Sequence, residues 1–174
     1  MGETPTSTAP ATPTVEKPSY KPAESIISAI SVGFIFILFG SIYVLALPSN
    51  LFERLVAFFG SLTLRQVPGM GISLPAPVSP GTHIVFYNAV FQFCIGLILL
   101  EIAVLALRLM WDSPVKRTAE TIGNLVFWSG AAFLANTFLT AQTTVNTWFA
   151  FWSGILIAVG LSMIARAAIL LVRR

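Results

Sequence analysis

The sequence predicts an all-α integral membrane protein: a four-transmembrane-helix bundle of two tandem parallel helical hairpins, with a short interfacial helix in its first external loop. Three observations carry this. Hydrophobic residues make up 56% of the 174 and charged residues only 10%, against about 45–50% and about 25% in soluble domains. Four apolar segments each reach the roughly 20 residues a helix needs to cross the hydrocarbon. And one segment occurs twice.

The repeat reads Asn88-Ala-Val-Phe91-Gln-Phe93-Cys-Ile-Gly96 and Asn146-Thr-Trp-Phe149-Ala-Phe151-Trp-Ser-Gly154. Arg108 and Arg166 follow the two glycines at the same distance. A second match, Lys21-Pro-Ala-Glu24-Ser-Ile26 against Arg117-Thr-Ala-Glu120-Thr-Ile122, opens the first and third apolar segments. Two spans per unit make the copies parallel, related by a pseudo-two-fold axis along the membrane normal.

Residues 1–22 are rich in Thr, Pro, Ser and Ala. They bury too little apolar surface to offset their ordering entropy, so a disordered cytoplasmic tail is expected. A single transmembrane domain over 23–174 follows, with spans at about 24–47, 83–111, 119–140 and 146–172. The first external loop, 48–82, opens with Asn50-Leu-Phe-Glu53, which has the pattern of a capping box. Leu51, Phe52, Leu55, Val56, Phe59 and Leu62 then form one apolar face, so an amphipathic helix over about 50–62 is expected to lie in the outer interface. Pro68, Gly69, Gly71, Pro75, Pro77 and Pro80 predict irregular chain thereafter.

Basic residues set the expected orientation. Lys17, Lys21, Arg108, Lys116, Arg117, Arg166, Arg173 and Arg174 fall on one side, Arg54 and Arg65 on the other. This bias places both termini in the cytoplasm and loops 48–82 and 141–145 outside. Trp111, Trp148 and Trp152 sit near span ends as interface anchors, with Trp128 deeper as packing.

Small residues recur at heptad spacing, which predicts close helix contacts at Gly33, Gly40, Gly96, Gly130 and Gly160; Gly154, the repeat counterpart of Gly96, is a further helix-packing candidate. Glu101 is the sole acid deep in a span and corresponds to Val159 in the second copy. A carboxylate there requires pairing, protonation or hydration. The repeat proposes Arg166 as its partner across an axis between the second and fourth spans, with Arg108 facing the same axis. Alignment on the repeat puts Arg166 about 10 Å below Glu101, whereas counting back from the C-terminal arginines puts them nearly level. Asn88, Gln92 and Asn136 complete the intramembrane polar candidates.

One His and one Cys exclude a bis-His haem and an intrachain disulfide, and no metal site or cofactor is expected. Catalytic arrangements of the Ser-His-Asp, Cys-His or HExxH kind are absent, so no enzyme is expected. The basic residues form no run, and nucleic acid is not an expected partner. The expected partners are the bilayer and either itself or other integral membrane subunits, in an accessory or packing role. A channel or a proton- or cation-coupled transporter built on Glu101 is the alternative.

Overall fold

A computed structural model describes residues 22–111 and 113–172. The expected tail lies outside the described residues, apart from Pro22, which opens the first helix. The chain runs α1 (Pro22–Ala46), a 3-10 turn (Leu47–Ser49), α2 (Leu51–Gly60), β1 (Leu62–Gln66), β2 (Ser73–Pro77), a second 3-10 turn (Pro80–His83), α3 (Ile84–Met110), α4 (Val115–Phe138) and α5 (Val145–Val172).

Each helix begins where local chemistry dictates. Proline at the first position and Glu24 in the first turn suit the N-terminus of α1. Pro114, with its fixed φ, precedes α4 and starts it at Val115, several residues before the expected 119. Ahead of α5, Thr144 and Thr147 cap one another: each hydroxyl accepts the other's backbone N–H, at 2.7 and 3.3 Å. The 141–145 turn is closed by Thr143, whose hydroxyl accepts from the Thr140 amide at 2.7 Å.

Three helical segments, Glu24–Ala46, Pro80–Met110 and Val145–Val172, are long and apolar enough to cross a membrane. The 24-residue α4 is not among them, because Lys116, Arg117 and Glu120 occupy its first turns and Asn124, Ser129, Asn136 and Thr137 interrupt the rest.

The long helices pack in chain order, α1 on α3, α3 on α4, α4 on α5. The axis expected between the second and fourth spans is occupied by α4, which packs along both α3 and α5. These two meet at one end, where Tyr87 and Trp148 stack with centroids 6.3 Å apart. Trp148 is therefore buried rather than an interface anchor, and its indole N–H donates to the Pro75 carbonyl at 3.3 Å. Trp111 and Trp152 are exposed.

Loop 48–82 is more ordered than expected. Helix α2 forms, but Asn50 adopts a left-handed conformation (φ 50) and makes no side-chain cap, so the capping box is not realised. In place of irregular chain, β1 and β2 pair antiparallel, Leu62 opposite Pro77 and Gln66 opposite Ser73. Gly69 (φ 76) and Gly71 (φ 65) turn the chain between them, a conformation L side chains rarely adopt. A two-stranded ribbon has only edge strands, which tolerate Pro75 and Pro77. Ala76 and Phe58 bury this unit against Tyr87, Trp148 and Phe151, and Phe58 lies 4.6 Å from the Phe86 ring.

Candidate functional site

The charged residues of the long helices gather towards the end where α1 begins and α3 and α5 finish. Glu101 lies about 14 Å from the end of α3 at 1.5 Å per residue. Its Oε1 accepts from Asn124 Nδ2 of α4 at 2.9 Å. The Asn124 Oδ1 in turn accepts from Arg166 Nη2 of α5 at 2.6 Å. The direct Glu101–Arg166 ion pair is thus not formed; an amide intervenes, donating to the carboxylate and accepting from the guanidinium. A primary amide can do both at once, donating through its nitrogen and accepting at its oxygen. Arg166 reaches it by lying across Gly123, where a Cβ would strike the Arg166 side chain.

Arg108 follows a different course from its repeat counterpart. It pairs with Glu24 of α1 at 3.6 Å and donates to the Thr121 hydroxyl and the Arg117 carbonyl of α4. Arg117 pairs with Glu120 at 3.4 Å on the exposed surface. Two acids, Glu24 and Glu101, and two bases, Arg108 and Arg166, are therefore held by intrachain partners. Their burial is offset by charge balance and hydrogen bonds, as buried charges require.

The Glu101/Val159 difference has a packing explanation. Helix α3 has α1 on one side and α4 on the other, so the Glu101 position meets Asn124. Helix α5 packs lengthwise on α4, with β2 and the start of α3 touching it only near its N-terminal end, and Val159 faces outward, 41% exposed, where an apolar side chain suits lipid.

A cleft of about 1230 Å³ opens between α1, α3 and α4. Glu24, Arg108, Arg117, Glu120 and Thr121 line one end, at the helix termini. Glu101, Asn124 and the α1 hydroxyls of Ser28 and Ser31 lie along it. Ile35, Phe93, Leu97 and Trp128 close the other end. α1 is loosely held: only 6% of its most apolar stretch is buried.

The remaining candidates divide. Asn88, Gln92 and Asn136 are exposed on the outer surface and join none of this network. Among the glycines, Gly96 receives Leu38, Gly154 receives Leu134, and Gly130 meets Ala158. Gly33, Gly40 and Gly160 have nothing within 4 Å of a built Cβ, so they pack no helix within this chain. The candidate site residues drawn from the sequence do not include Asn124, Glu24 or Thr121. The matched Glu24 and Glu120 entrances marked one of them; nothing in the sequence singled out Asn124 from the other polar residues of its helix.

Among the described residues no group of three or more His, Cys, Asp or Glu could hold a metal ion. No protein-family model, no curated protein and no solved structure matches this chain.

Proposed function

We propose that this chain is a non-enzymatic accessory subunit that packs, through the outer face of its helices, against another integral membrane protein or a second copy of itself. The observation that carries this is the exposure of Asn88 and Gln92 on α3. They continue into Ile95, Leu99 and Ile102, all exposed, as one helical face. An amide left facing hydrocarbon without a partner costs several kcal/mol on transfer scales, and a neighbouring helix is the usual remedy. The outward Gly40 and Gly160 add places where a second backbone can approach closely.

The same proposal takes α4 as a fourth span, with both termini cytoplasmic and the hairpin and 141–145 turn external. Its support is the position of α4 between two apolar helices and the inward use of Asn124. Tandem duplication is part of it, supported by one contact made twice. Leu38 lies over Gly96 as Leu134 lies over Gly154, and these pairs hold matching places in the two copies.

Glu101 lining the cleft favours a second function, ion or proton coupling. Against it stands Asn124, which already donates to the carboxylate and is itself held by Arg166. Two measurements decide. Gentle extraction should give a particle larger than the 18.8 kDa chain plus detergent; a bare monomer contradicts the subunit role. Liposomes holding the purified chain should carry no ion flux sensitive to Glu101→Gln; such a flux establishes coupling instead.

A further inference from the structure

We infer that the cleft between α1, α3 and α4 binds a zwitterionic phospholipid bearing a primary-ammonium headgroup, of the phosphatidylethanolamine type. Its shape and polarity run in the same direction as a lipid in one leaflet: charges at the helix termini, apolar and aromatic walls deeper in. The volume, about 1230 Å³, exceeds the roughly 300–1,000 Å³ of sites for drug-sized molecules and suits an amphiphile with chains. A bare ion needs no such space.

The charged end identifies the headgroup. Basic pockets between membrane helices select anionic lipids, but at this end Glu24 and Glu120 offset Arg108 and Arg117. The Glu120 carboxylate and the Arg117 guanidinium line the cleft with their side chains partly exposed, so an ammonium can meet the one and a phosphate oxygen the other. A choline headgroup has no N–H to give, and a phosphatidylglycerol headgroup brings its phosphate charge beside two carboxylates with no ammonium to meet them. The cleft opens towards the bilayer because α1 packs along α3 and stands away from α4, so a lipid can enter sideways. The site does not depend on the proposed subunit role, since every group in it belongs to one chain.

Native mass spectrometry of the full chain, with equimolar phosphatidylethanolamine, phosphatidylcholine and phosphatidylglycerol in competition, tests this. Phosphatidylethanolamine adducts should exceed phosphatidylglycerol adducts by about tenfold, the ratio for one charge-assisted hydrogen bond. Ser28→Leu, which places a bulky side chain in the cleft from an exposed position of α1, should abolish that preference while leaving the thermal midpoint unchanged. Equal retention of the three lipids by the wild-type chain overturns the proposal, as does preference for the anionic lipid. So does a Ser28→Leu chain that folds and keeps the wild-type selectivity.

Discussion

Asn124 shows how far a single side chain can decide the interior of a membrane protein. It gives one N–H to Glu101 and takes one from Arg166, so its loss leaves a carboxylate and a guanidinium facing each other without contact. Asn124→Leu should lower stability by about 1–3 kcal/mol, the cost of stranding buried polar partners. Asn136→Leu, on the same helix but exposed, should stay within about 0.5 kcal/mol. Reversible unfolding in mixed micelles measures both; equal effects would deny the relay its importance. The sequence made the charged members legible, since Glu101 and Arg166 stand out in apolar runs. It did not disclose their manner of contact, because that depends on the stagger of helices and on a third helix entering between them. Trp148 shows the same limit: its place near a span end suggested the interface, but the hairpin folds over and buries it.

At the scale of elements, glycines with identical sequence credentials serve different purposes. Gly130 lies against Ala158, whose Cβ is 3.1 Å from a built Cβ, and Ala158 has no flexible end to move aside. Gly130→Ala should therefore destabilise the isolated chain by about 1 kcal/mol, within the range for overpacking. Gly40→Ala meets nothing and should stabilise the isolated chain by up to about 1 kcal/mol through helix propensity, while weakening the assembled particle. Thermal midpoints of the separated chain, set beside particle size after gentle extraction, check both. Heptad spacing drew attention to the small residues, but spacing alone does not say which face points at a neighbour. The β1–β2 hairpin was hidden for a different reason. Its prolines forbid a central strand, and only pairing as a lone two-stranded ribbon, with Gly69 and Gly71 at the turn, accommodates them.

For the whole molecule, the arrangement is a row in which α4 ties α3 to α5 and α1 is the outer member, held along α3. The apolar character of three helices was plain from composition. The position of α4 was not, since its polar residues make it the least lipid-like long helix, and they are explained in part by what Asn124 meets inside. Single cysteines at Lys116 and Gln142, introduced after Cys94→Ser, should label from opposite sides of sealed vesicles, with Gln142 accessible together with Met70. Labelling of Lys116 and Gln142 from one side would mean that α4 does not cross. The outward amides of α3 bear most directly on the subunit role. A photo-crosslinking residue at Ile95, beside Gln92 on the same exposed face, should capture one protein adduct of defined mass in native membranes, and Gln92→Leu in the same chain should remove it. Lipid adducts alone on a monomeric chain, unaffected by Gln92→Leu, would contradict the account.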